Sequence, residues 1–552
     1  MSNKDNLTQQ IERSISSHCY SSAIFFADKL LTLSQNTSSY TECLYILCNA
    51  LYCDKQYQRS SSLLMKYINS NNMNIVDKNA QLENTLKLKI LYLVGKCKIE
   101  LNEWEQCIDI IGTDNDGFIS PAMQLESSES IKTLVSTLCQ IRGKCYESLE
   151  NLKKSRYWYI QSLMLDYHSY ESFESLVKNH LLNHREEMEL LNQLQFKECD
   201  LWLKDLYSTL LKKYDAPQKH TLMSSCTSIL STIDNLKNLK NSNDVQTSLA
   251  EYYFYHHQYR LAYNITKRIL KEDRHYSNRV CLMVHLSSMF ELDMSNELYY
   301  TCHQLLETST QPAISWYGVA CYYHLIGNHD MTLRFFTKAT TIDSRNGAFW
   351  LGFGHFFADK GEHDQAMAAY RTSARLLTGC HLPPLCIGME LIRVHNLNLA
   401  TQYIQQSKDI CPYDPLIHNE LGIIEYRNQR YQEAIHHFES ALYISANRQQ
   451  SDTSTHEMIS IDQEAWEPTV FNLAHCYRKL RNYDMALQYY NLSQSLSPNN
   501  ASVYSAIAFT HHLQGNFDEA IDFYHQSLSI RDDSFTNTLL NKALSLSILN
   551  YD

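Results

Sequence analysis

A small side chain returns every 34 residues through the second half of the chain, at Ala320, Gly354, Gly388 and Gly422. A second column runs twelve residues later, through Thr332, Ala366, Ala400 and Ala434. After a break that adds 18 residues both columns resume, as Ala474 and Ala508 and as Ala486 and Ala520. A unit of this length has room for two helices and their turns, and a small residue on each lets the pair close tightly. Phe336, Tyr370, Phe438, Tyr490 and Tyr524 form a third column of large residues that fits around the small ones. Pro412 and Pro498 fall where the second helix must stop.

The columns match the tetratricopeptide-repeat (TPR) pattern of Trp, then Gly/Ala, Ala, Phe/Tyr, Ala and Pro, with Trp316 and Trp350 opening two units. The expected fold is all-α, a TPR superhelix built as an α-solenoid of antiparallel helix pairs. Each pair is too small to bury its own apolar face, so stability comes from stacking on its neighbours. Weaker units extend upstream, around Ala250 with Ala262, Gly143 with Tyr159, Gly95 with Cys107, and Ala23 with Ala27 and Leu30. This gives an N-terminal array over 1–165, a degenerate helical connection over 166–242, and a C-terminal superhelix over 243–552. A polar insertion at 446–463 interrupts the last of these. Gly112 to Ser130 reads as a polar loop carrying Ser120-Pro121, a candidate phosphorylation site.

Composition narrows the function. Only 9 prolines and 14 glycines occur in 552 residues, too few turn formers for a β-rich or Rossmann-like enzyme. The 48 basic and 60 acidic residues leave a net charge of −12 without a basic stripe, which argues against nucleic acid and anionic membrane surfaces as partners. No apolar run approaches the 18 or so residues of a membrane span, and the first residues lack a signal core. The expected setting is the nucleus and cytoplasm, where the 17 cysteines stay reduced. Cys380, His381 and Cys386 are the best metal-ligand grouping, but buried free thiols explain them more simply. No Walker loop, HExxH or GxSxG is present, and the pairs His256-His257, His436-His437 and His511-His512 have no metal-ligand spacing. Neither a catalytic residue nor a cofactor is expected.

Function should then lie on the inner wall, at the second, fifth and ninth positions of repeats starting at 313, 347, 381, 415, 467 and 501. The candidates are Tyr317, Cys321, His355, Leu385, Met389, Asn419, Ile423, Phe471, His475 and Phe509. No Lys, Arg, Asp or Glu occurs at these positions, so a carboxylate-gripping clamp is excluded and a neutral, largely hydrophobic peptide is the expected occupant. The competing reading packs some of these side chains inside the wall.

Several stretches depart from the generic repeat: EHDQAMAAY at Glu362–Tyr370, GCHLP at Gly379–Pro383, WEP at Trp466–Pro468, NASVYSAIAF at Asn500–Phe509 and GNFDEAIDFYH at Gly515–His525. In these the chain resembles the cell-division-cycle-sixteen-type TPR subunits of the anaphase-promoting complex (cyclosome). The resemblance implies a non-catalytic scaffold in a multisubunit ubiquitin ligase that controls mitotic progression. It implies a homodimer formed through residues 1–165 and contacts with other TPR and scaffold subunits. It also implies that the C-terminal superhelix encloses the N-terminal segment of a small accessory subunit bearing an acetylated initiator Met. Acetylation removes the terminal ammonium, which suits an uncharged wall. The alternatives are a sister subunit of the same ligase, an unrelated TPR adaptor, and an enzyme with a TPR appendage. No non-repeat stretch is long enough to be the catalytic domain of the last.

Overall fold

A computed structural model describes residues 3–34, 39–70, 81–112, 129–211, 239–272, 278–308, 312–445 and 466–551. These residues form helices joined by short turns, with no strand among them. The chain divides into two units, Met1–Lys204 and Asp205–Asp552. The expected insertion at 446–463, most of the loop at Gly112–Ser130 with its Ser120-Pro121 site, and positions 212–238 of the expected connection lie outside the described residues.

The second unit carries the six in-frame pairs. Their first helices are Pro312–Ile326, Gly347–Asp359, Leu382–Arg393, Pro415–Arg427, Glu467–Lys479 and Ala501–Gln514. The second helices are His329–Ile342, His363–Leu376, Leu397–Ile410, Tyr431–Ser445, Tyr483–Leu496 and Phe517–Ile530, and Ser534–Tyr551 follows the last pair. Each turn between partners needs one left-handed residue, and these recur in register at Gly327, Gly361, His395, Gln429, Arg481 and Gly515. Three of the six are not glycine and carry the steric cost of a Cβ at positive φ. The residue after each turns its N–H back to a carbonyl five positions earlier, as in Asn396 to Leu391 at 2.8 Å and Asn482 to Tyr477 at 3.0 Å. Asn328, Asn396 and Asn482 then cap the next helix through their side-chain oxygens.

All twelve members of the first two columns, from Ala320 to Ala520, are buried. A methyl group added at Gly422 would lie 2.7 Å from the Phe438 ring, so the third column sits directly on the first. Gly354 faces Tyr370 and Gly388 faces Ile404 in the same way. In the first unit Gly143 repeats the contact, with Tyr159 at 2.6 Å from the position of its missing Cβ. Ala23, Ala27 and Leu30 are buried on Tyr20–Ser34, and Cys107 places its thiol 3.7 Å from the Gly95 carbonyl. Between 166 and 211 the helices are Tyr170–Lys178, His184–Gln193 and Leu201–Leu211.

One packing column escaped the sequence reading although it keeps the same period. The buried hydroxyls of Ser373, Ser407 and Ser527 each donate 2.8 Å to a carbonyl 26 residues earlier, at Gly347, His381 and Ala501. They pin the end of the second helix to the start of the first.

Candidate peptide-binding face

Three of the ten expected wall residues do not present a surface: Tyr317 is 7 % exposed, Cys321 4 % and Leu385 1 %. For Tyr317 the reason is a neighbouring glycine. The Tyr317 ring stacks on Phe349 at 5.1 Å and fills the space that a side chain at Gly352 would need, 2.9 Å from its Cβ position. Cys321 and Leu385 belong to the same apolar cluster. Burial pushes the Cys321 thiol up to about 12, so it stays protonated. His355 is exposed, and Met389, Asn419, Ile423, Phe471, His475 and Phe509 are half-buried.

The two histidines at the ninth position share one arrangement. His355 Nδ1 lies 2.9 Å from the Tyr370 hydroxyl, and His475 Nδ1 hydrogen-bonds the Tyr490 hydroxyl. Both tyrosines stand fifteen residues after their histidine, on the facing helix of the same pair. Where the large column is Phe336 or Phe438, the ninth position is Cys321 or Ile423 and no such bond is called for. Tyr524 breaks the rule. Its partner position holds Phe509, and its buried hydroxyl has no hydrogen-bond partner among the described residues. In the first unit Tyr159 donates 2.6 Å to Glu147 instead. Withdrawal from water by the surrounding protein lowers the half-buried His475 to about 3, so its ring is neutral at ordinary pH; the pKa of His355 is shifted down as well, by the protein crowded around it.

Asn419 is held on two sides. Its side-chain oxygen accepts 3.0 Å from Thr469 in the following repeat, and its amide donates 3.0 Å to Glu420. Burial pushes Glu420 up to about 7. Charge is closer to this face than the second, fifth and ninth positions indicate. The thirteenth position, unread in the sequence, holds Asp359, Arg393, Arg427 and Lys479 in four of the six repeats, with Leu325 and Leu513 in the first and last. Asp359 pairs with His324 at 2.9 Å, and Asp359, His324 and Arg393 all act electrostatically on His355. Arg393 and Arg427 each reach a carbonyl at the end of the preceding first helix, Ala358 at 3.4 Å and Ile392 at 2.5 Å. A strictly neutral wall is therefore corrected to neutral donors flanked by charge.

The second unit also closes on itself. Asp414 is buried, caps its own helix at the Leu416 N–H (2.8 Å), and accepts from His381 Nε2 at 2.8 Å. His257, in the turn after Asn243–Tyr255, reaches the same carboxylate at 3.3 Å and sets its ring edge-on to Trp466 at 5.8 Å. His381 is thus engaged with a carboxylate. Among the described residues no group of three or more His, Cys, Asp or Glu is placed to hold a metal. No helix among them is long and apolar enough to cross a membrane.

Comparison with known proteins accords with this arrangement. Residues 466–533 match the tetratricopeptide repeat family. Residues 16–113 match the family described as anaphase-promoting complex, cyclosome, subunit 3. The chain is 40 % identical to anaphase-promoting complex subunit 6 of Dictyostelium discoideum, covering 99 % of this chain and 98 % of that protein. It is 33 % identical to the cell division cycle protein 16 homolog of Homo sapiens, over 99 % of this chain and 85 % of the other. Among solved structures, the APC/C hetero-tetramer Cut9–Hcn1 matches with a TM-score of 0.79 and 31 % identity, covering 99 % of this chain and 97 % of that one.

Proposed function

Because this chain belongs to the family of anaphase-promoting complex subunit 6 and the CDC16 proteins, we propose that it holds a small accessory subunit while joining two copies of itself. The coarser role follows from membership alone: it is a non-catalytic TPR scaffold subunit of the anaphase-promoting complex. Under the finer reading, residues 1–165 form the homodimer contact and residues 243–552 surround the partner's N-terminal segment. The captured end carries an acetylated Met, other TPR and scaffold subunits of the complex are further partners, and the assembly acts as a ubiquitin ligase in the nucleus and cytoplasm.

One observation carries this reading. The likeness to the Cut9–Hcn1 structure extends over essentially the whole chain, which supports both a second copy and a second protein as partners. The half-buried ninth-position residues support it, because neutral polar and apolar groups side by side suit a polypeptide that orders on binding. The test is affinity purification of the chain from its own cells with mass spectrometry, alongside light scattering of the purified chain. Co-purification of a multisubunit complex with a short protein, and a mass twice the 64.4 kDa of one chain, is the expected result. A monomer at micromolar concentration would refute the dimer, and absence of any small bound subunit would refute the holding role.

A further inference from the structure

The two histidine–tyrosine pairs fix more than packing. A neutral imidazole carries its proton on one nitrogen, and the bond made by the other nitrogen decides which. The hydroxyls of Tyr370 and Tyr490 are on almost fully buried rings, and each has its histidine Nδ1 as its hydrogen-bond partner among the described residues. If the histidine donated from Nδ1, the tyrosine proton would be buried without an acceptor, which is costly. The hydroxyl therefore donates to Nδ1, and the ring proton sits on Nε2. No hydrogen bond to either Nε2 exists among the described residues, although His355 is exposed and His475 half-buried. Two equivalent positions, three repeats apart in frame, thus offer an N–H that is uncharged and directionally fixed.

We infer that Tyr370 and Tyr490 are positioning residues that set His355 and His475 as neutral Nε2–H donors to main-chain carbonyl oxygens of an extended segment of the bound partner. This inference rests on the holding role proposed above and specifies how that face grips its occupant. A neutral donor matches a neutral acceptor: a carboxylate or phosphate would draw a charged or bidentate group, whereas a peptide carbonyl needs one N–H. Reading main chain leaves the partner's side chains to the apolar neighbours, Phe471 beside His475 among them, with ring centroids 4.3 Å apart.

Two measurements test it. In the chain labelled with 15N-histidine, the signals lost in H355Q and H475Q identify the two rings among the 24 histidines. Both are expected to show a protonated Nε2 and a bare Nδ1, and Y370F and Y490F should release this tautomer. A proton on Nδ1 in the wild-type chain overturns the inference. The second is a titration with purified Hcn1 as the probe. Y370F and Y490F should each weaken binding about fivefold or more, with helical content unchanged. H355L and H475L should weaken it similarly. H355Q and H475Q, whose side-chain amide carries an N–H at comparable reach, should retain most of it. Equal binding by wild type, Y370F and Y490F overturns the inference and leaves the holding role intact. Failure of the wild-type chain to bind Hcn1 overturns the holding role, with the tautomer still decided by the nitrogen spectrum.

Discussion

His257 and Asp414 stand 157 positions apart in sequence and meet at 3.3 Å. The contact ties the turn after Asn243–Tyr255 to the turn before Pro415–Arg427, where Asp414 also accepts from His381 and caps a helix. Asp414→Ala would remove the cap and leave two histidines without their acceptor. We predict a loss of about 2–4 kcal/mol, read as a lower midpoint in urea unfolding followed by circular dichroism. An unchanged midpoint would mean the contact contributes nothing to the unit.

Acid should weaken the second unit in two stages. Withdrawal from water lowers His475 to about 3, and His285 and His437 each to about 4. Neutral imidazoles contribute fully above the unfolded value of about 6.5, and that stability drains away as pH falls toward 4. Glu420, pushed up to about 7 by burial, opposes the trend, but one carboxylate offsets only part of three rings. Below about pH 4 Asp414 adds a second loss. Burial alone would raise its pKa, yet the hydrogen bonds and charges of His257 and His381 outweigh burial and hold it well below the usual range. Melting temperature measured from pH 8 to 3 should fall in this order, and a flat profile between pH 6.5 and 4.5 would contradict it.

Overpacking is the expected failure at the small column. Gly422→Ala places a methyl 2.7 Å from the Phe438 ring in the same pair. The gain in helix propensity, about 1 kcal/mol, is outweighed by the displaced ring, at about 1–3 kcal/mol. Net destabilisation in chemical unfolding is predicted, and Phe438→Leu in the same chain should recover part of it. Stabilisation by Gly422→Ala would show that the pair has slack.

The buried hydroxyl of Tyr524 offers a contrast with Tyr490. Tyr490→Phe removes a bond to His475 and should cost about 1 kcal/mol. Tyr524→Phe removes a hydroxyl that has no partner among the described residues, and should be neutral or stabilising. Phe509→His would supply the missing acceptor at the equivalent position. Equal costs for the two Tyr→Phe changes would show that the hydrogen bond is not what distinguishes them.

The turn column makes a prediction in the stabilising direction. Arg481 holds φ at 61° where three sister repeats place glycine. Arg481→Gly should relieve strain of about 1 kcal/mol, partly offset by greater freedom in the unfolded chain. A higher urea midpoint is expected, and a lower one would assign Arg481 a contact worth more than the strain.

The 34-residue columns determined the helix pairs, their turns and the packing of Gly354 on Tyr370, because each of these depends only on residues within one repeat or its neighbour. The histidine–tyrosine pairs are equally local, fifteen residues apart, and could have been read by setting the ninth position beside the third column. Which side of the wall a ninth-position residue faces was not local. Cys321 and His355 hold the same place in the frame, yet one is buried and the other exposed, because each depends on what the adjoining repeats put against it. The meeting of His257 with Asp414 lay further still from the sequence. Each repeat turns a little relative to the last, and only the sum of those rotations decides which distant corners touch.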